Sequence, residues 1–158
     1  MKKTVIIFMV ILATGCIQQK NEIEFSDLNE DLSCIFCPDI EEIIITSQEE
    51  YENLLECKSD SPACRGFVLP YIDFSENVLL GKYVYGSGCS ITFERHVYRD
   101  DAAKKIIYSI TVIEEGLCEM MGMSMNWITI PTIPGYTIVF EVNKQERIFP
   151  LVTLLSAI

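Results

Sequence analysis

Apolar and polar positions alternate with a period of two over much of the chain from residue 67 onward. Ile91, Phe93 and Val97 fall on one face of an extended segment, with Thr92, Glu94 and His96 on the other. Arg99-Asp100-Asp101 turns the chain, and Ile106, Tyr108, Ile110 and Val112 alternate back. This pattern predicts a hairpin of strands 89–98 and 104–115. Equal steps from a centre at Asp100–Asp101 set Cys89 opposite about residues 112–113, with Cys118 about five residues further on; Gly116 lets the chain fold back toward Cys89. Further extended segments are expected at Phe67–Leu69, Tyr71–Phe74, Val78–Val84, Trp127–Ile130 and Tyr136–Phe140. Ser75-Glu76-Asn77, Gly86-Ser87-Gly88, Pro131 and Pro134-Gly135 punctuate them. Residues 146–155 are too apolar to form a free tail.

Ahead of this region the period changes. Ile43-Ile44-Ile45-Thr46 is β-branched and predicts a short strand. Ser47-Gln48-Glu49-Glu50 has the capping-box spacing, and Tyr51, Leu54 and Leu55 then recur at helical intervals. A helix of roughly three turns is expected there, ended by Cys57 and Ser61-Pro62. The elements together predict an α+β domain: one N-terminal helix packed on a strongly bent antiparallel sheet or open barrel of six to eight strands.

The first residues carry a different signal. Lys2 and Lys3 precede the apolar run Thr4–Leu12, and Ala13-Thr14-Gly15-Cys16 follows. That run is too short to span a bilayer, which takes ~20 residues. A charged start, a short apolar core and small residues describe an export signal. The stretch LATGC resembles the bacterial lipoprotein signal, the lipobox. The resemblance implies cleavage before Cys16, lipid on its sulfur and new amino group, and a location in the cell envelope outside the cytoplasm. The expected organisation is a signal peptide at 1–15, an acidic tether at 16–38 and a single domain at 39–158. Several acyl chains suffice for stable anchoring without a basic patch.

Composition sharpens this picture. The 158 residues are 49% hydrophobic and 22% charged, as in a folded domain. Twelve basic against 23 acidic side chains give a net charge of −11, or −13 once Lys2 and Lys3 are removed. That balance excludes nucleic acid as the expected partner, since phosphate backbones are held by Lys and Arg. The acidity is concentrated: residues 20–60 hold thirteen acidic and two basic side chains.

Beyond Cys16, the cysteines are Cys34, Cys37, Cys57, Cys64, Cys89 and Cys118, an even number that suits disulfides in an oxidising compartment. Six cysteines allow fifteen pairings. Cys57 and Cys64 bracket a polar loop that a bridge could close; Cys89 and Cys118 sit near the outer ends of the hairpin. Cys34 and Cys37 are left to each other or to partners in the 57/64 loop.

ITSQEEYENLL and YIDFSENVLLG, within residues 43–142, resemble the C-terminal domain of bacterial protease-complex accessory proteins. In that family a strand, a capped helix and a strand of this kind precede a Gly-rich turn into a hairpin. The resemblance implies an α+β domain that serves a partner protein rather than a catalyst.

Candidate chemistry is sparse. Cys34-Ile35-Phe36-Cys37 has the spacing of thiol–disulfide exchangers, but its acidic surroundings raise a thiol pKa and no βαβ unit surrounds it. A zinc set with Cys57 and Cys64 lacks knuckle spacing. Met120-Met121-Gly122-Met123-Ser124-Met125 is methionine-dense, and in an extended strand Met121, Met123 and Met125 share a face with Trp127. Soft thioethers suit Cu(I) or Ag(I), so these three are the candidate metal ligands; filling core space is the alternative role. His96 is the only histidine, and Asp73 and Glu76 read as a turn. The expectation is a non-enzymatic binding or accessory domain without a cofactor, working through an envelope protein partner.

Overall fold

The computed structural model describes residues 20–147. The expected signal peptide, Cys16 and the apolar residues after Arg147 lie outside the described residues. In chain order the strands are β1 (Asn21–Glu22), β2 (Ser26–Asp27), β3 (Glu42–Ile45), β4 (Asn77–Ser87), β5 (Ser90–Asp100), β6 (Lys105–Glu115), β7 (Met121–Pro131) and β8 (Thr137–Arg147). A short helix, α1 (Gln48–Glu52), tightens into a 3-10 turn at Asn53–Cys57, and a second 3-10 turn covers Pro62–Cys64.

The strands form two sheets, ordered β1-β5-β6-β8 and β2-β7-β4-β3. The fold is therefore mostly β, a two-sheet sandwich, and the expected α+β arrangement is overturned. No closed barrel forms, and α1 is one small part of a largely irregular layer rather than a helix packed on a single bent sheet. Pairing is not all antiparallel either: β8 runs parallel to β6, from Lys105 opposite Thr137 to Glu115 opposite Arg147. The physical reason is the path of β7. After β6 the chain crosses to the other sheet, β7 pairs with β4, and the return to the first sheet brings β8 alongside β6 in the same direction.

Alternation sets what each face buries. Between the sheets, Val78, Leu80 and Val84 of β4 meet Ile106, Tyr108, Ile110 and Val112 of β6, with Ile128 and Ile130 of β7. The opposite face of β4 and β7 carries Leu79, Met125 and Trp127. Onto it folds a cap made by residues 28–37, the α1 region and residues 67–74, contributing Leu32, Ile35, Cys37, Tyr51, Leu54 and Ile72. The described residues thus form three layers and two cores.

The cap accounts for two corrections. Residues 16–38 were expected to be a tether, yet from Asn21 on they are built in: β1 pairs with β5, β2 with β7, and Leu32, Ile35 and Cys37 are buried. Residues 67–74 alternate inward and outward without joining a ladder. Phe67, Leu69, Ile72 and Phe74 face the cap core while Val68 and Tyr71 are exposed, and the Tyr51 hydroxyl donates to the Pro70 carbonyl at 2.9 Å. The helix start is capped as its sequence suggests, the Glu50 amide donating to Ser47 Oγ at 3.3 Å. The Glu50 carboxylate reaches one residue further back than expected, accepting from the Thr46 amide at 2.9 Å. Leu55 is exposed; Tyr51 and Leu54 alone face inward.

Candidate functional site

Along the outward face of the β4–β7 ladder, cross-strand pairs run Gly81 with Trp127, Tyr83 with Met125, Tyr85 with Met123, and Ser87 with Met121. Trp127 lies across Gly81; a Cβ there would sit 2.3 Å from the indole ring, so only glycine admits it. The cap covers Trp127 and Met125, and its rim is Phe36, which meets Tyr83 edge to face with ring centres 5.6 Å apart. Past that rim no described residue covers the ladder. Met125 is 6% exposed, whereas Met123 is 55%, Tyr85 54% and Met121 70% exposed. The Tyr83 hydroxyl reaches Met123 Sδ at 3.4 Å. Met120 and Leu117, in the turn before β7, add exposed apolar surface at the same end.

Two hollows flank the rim. One of about 650 Å³ is lined by Phe36, Pro38, Asp39, Glu56 and Lys58 among others. A second of about 360 Å³ shares Pro38 and is lined by Glu41, Lys82, Tyr83, Tyr85, Val142 and Lys144 among others. The charges nearby are partly matched. Lys82 Nζ is 3.1 Å from Glu42, and Lys144 lies 4.6 Å over the Tyr85 ring and 3.5 Å from Glu114. The Ser87 amide donates to Glu114 at 2.8 Å and, with Lys144, holds that carboxyl below its usual range.

The same end is closed by a bridge between Cys89 and Cys118, with Cα atoms 4.7 Å apart. The hairpin is wider than equal steps from Asp100–Asp101 suggest. Asp100 pairs with Lys105 across a four-residue turn, and Lys104 takes a positive φ of 53°. Ser90 therefore stands opposite Glu115, and Cys118 needs only to fold back around Gly116, whose φ is +82° and whose missing Cβ would lie 2.6 Å from Cys89 Sγ. In the cap, Cys34 joins Cys64 and Cys37 joins Cys57. The 57–64 loop is not closed on itself, and the CxxC is split between two bridges. Its cysteines stitch the N-terminal segment to the turn after α1, so no dithiol pair or four-sulfur cluster is assembled there.

Among the other sequence candidates, His96 Nδ1 is 3.0 Å from Glu22 Oε1, and its ring stacks on Tyr98 at 5.9 Å. Asp73 accepts from the hydroxyl and amide of Ser75, at 2.6 and 2.9 Å, which lowers its pKa and makes it a turn residue. The candidate metal trio is separated by the cap: Met125 is a core residue, and Met121 and Met123 face outward. Among the described residues, no group of three His, Cys, Asp or Glu side chains is placed to hold a metal ion, and no helix is long and apolar enough to cross a membrane.

Tyr83, Tyr85 and Phe36 are the members of this face that the sequence pattern did not point to. Gly86-Ser87-Gly88 has turn composition, which masks the continuation of β4 to Ser87; the alternation of Tyr83 and Tyr85 with Val84 was the available signal. No protein family, curated protein or solved structure matches this chain.

Proposed function

We propose that this chain is a lipid-anchored domain of the bacterial cell envelope that binds a protein partner through its methionine–tyrosine face and has no catalytic role. One observation carries the reading: the uncovered face of Tyr85, Met121 and Met123, at the end of the molecule remote from where the chain enters. Asn21 pairs with Arg99 near one end of β5, and the exposed face adjoins the other end, at Ser90. At ~3.3 Å per residue these ends are about 30 Å apart. Lipid on Cys16, four residues before Lys20, would hold the entering end near the membrane and present the face away from it. Contiguous exposed apolar surface of this kind marks interaction sites in soluble domains. A second reading, Cu(I) or Ag(I) binding, has the neighbouring thioethers of Met121 and Met123 in its favour; unchanged Ag(I) affinity after Met→Leu at both positions removes it.

A photo-crosslinking residue at Met123 of the full-length protein in its native cells is expected to give a discrete protein adduct. One at Thr92, on the outer face of the other sheet, is expected to give none. The Cys16→Ser change should release the protein from membranes and diminish the adduct. Equal labelling from both positions, or none from either, would overturn the assignment of this face.

A further inference from the structure

Resting on that reading, we infer that the partner docks through a basic amphipathic segment, its apolar side on Tyr85, Met121 and Met123 and its cations against the acidic rim of the cap. The apolar centre is chemically adaptable. Methionine is unbranched and polarisable, and exposed methionines accept differently shaped apolar side chains without a fixed pocket. Phe36 and Tyr83 extend this surface as a trough, with a hollow on either side of them.

The surroundings select the sign of the partner. Asp39 and Glu56 line the first hollow, on the cap side of the trough, and exposed Glu119 stands in the turn beyond Met120. Lys58 is the one basic residue lining the first hollow; in the second, Lys82 is paired with Glu42 and Glu41, and Lys144 is engaged by Glu114 and the Tyr85 ring. The cap is drawn largely from residues 28–60, with their ten acidic side chains and one basic. An apolar trough under such a field attracts a segment carrying Lys or Arg along one side and repels an acidic one. It also disfavours the anionic surface of a bilayer, and the face lies at the end opposite the chain's entry.

The test uses the chain from residue 16 to 158 with Cys16→Ser, its methionine methyls labelled for NMR. A short Leu/Lys amphipathic peptide is titrated against it, beside a Leu/Glu peptide of the same apolar pattern. The Leu/Lys peptide is expected to shift the Met121 and Met123 methyls and to leave Met125 nearly unmoved. Met121→Glu with Met123→Glu should weaken binding at least about tenfold. Asp39→Lys with Glu56→Lys should weaken it several-fold while leaving the apolar face and the melting temperature intact, which covers the case of a misfolded methionine variant. Added salt should weaken it as well. Equal affinity for the Leu/Glu peptide, or shifts confined to other residues, overturns the inference. So does cosedimentation with anionic vesicles through the same methyls, which assigns the face to lipid. Contacts between these methyls and residues 148–158 in the free protein overturn it too, by making the chain's own end the occupant. A Met123 adduct in cells without peptide binding leaves the partner face standing and removes only its basic chemistry. Peptide binding without an adduct leaves the site and removes the envelope-partner reading.

Discussion

The two cores lie on opposite faces of one sheet and are held by different means. Between the sheets, Val, Ile and Leu interdigitate from long ladders whose backbone groups satisfy one another, and no disulfide is needed inside. Over the outer face, the cap is mostly loop, with one short helix, and its interior is aromatic and sulfur-rich: Tyr51, Trp127, Met125 and Cys37. Two of the three bridges are spent there, one nested inside the other. A segment with few ladder hydrogen bonds gains little from cooperativity, so restricting its unfolded chain covalently is the effective route to order. The sandwich is stabilised by its pairing, the cap by its cystines and by the sheet it rests on.

The largest effect expected from disrupting this contrast comes from Cys34→Ala with Cys37→Ala. Because these residues belong to different bridges, the pair of changes opens both cap loops. The chain-entropy model gives about 3–4 kcal/mol for one loop of this size, with less for the second because it is nested. Loss of Cys89 and Cys118 removes a single bridge and should cost less. That reverses the order implied when Cys34 and Cys37 are taken as one pair. Trp127 is the only tryptophan and lies under the cap, so its fluorescence should change in the first variant and stay native in the second. Native emission in both variants would mean the cap does not depend on its bridges.

A smaller effect is expected at the boundary between the cores. Gly81→Ala sets a methyl group into the indole ring of Trp127. Overpacking of this kind costs typically ~1–3 kcal/mol. Amide exchange should rise in residues 28–37 and 67–74 before it rises in β5 and β6; uniform acceleration would show that the two cores unfold as one.

The smallest effect is a pH dependence. Glu50 in the cap is held below its ordinary pKa of 4.5 chiefly by the Thr46 amide, and Glu114 at the hairpin end chiefly by the Ser87 amide. Lowered folded-state values mean that each contribution is present above pH 4.5 and is lost as pH falls below it toward the folded value. Glu50 is solvent-exposed, so its loss should be slight. Glu50→Gln should flatten the acid dependence of Trp127 emission, and Glu114→Gln should leave that emission unchanged. A matching response from both would deny the separation of the layers.

Most of the long strands were legible in the sequence, but not their division into two sheets. The hairpin faces, the methionine face and the capped helix follow from local periodicity, which one strand or one turn determines by itself. What was not legible depends on distant pairing. Parallel neighbours usually imply a helical crossover; here β7 serves as the crossover by joining the other sheet, and nothing local to residues 121–131 records that choice. The cap escaped for a related reason. Residues 21–37 are polar enough to read as a tether, and only the sheet they cover makes Leu32 and Ile35 interior residues. The exposed face inherits the difficulty, because its limit is set by where Phe36 stops rather than by any feature of Met121 or Met123.

The N-terminal stretch 21–27 has a consequence for how the molecule is made. It is among the first described residues to be synthesised, yet β1 waits for β5 and β2 for β7, partners that follow more than seventy and a hundred residues later. The N-terminal strands therefore cannot join their sheets early. Such long-range closures make a slow nucleus and leave strand edges open in the meantime. The vulnerable moment for this protein is assembly, when a chaperone or a neighbouring copy competes for the same unpaired edges.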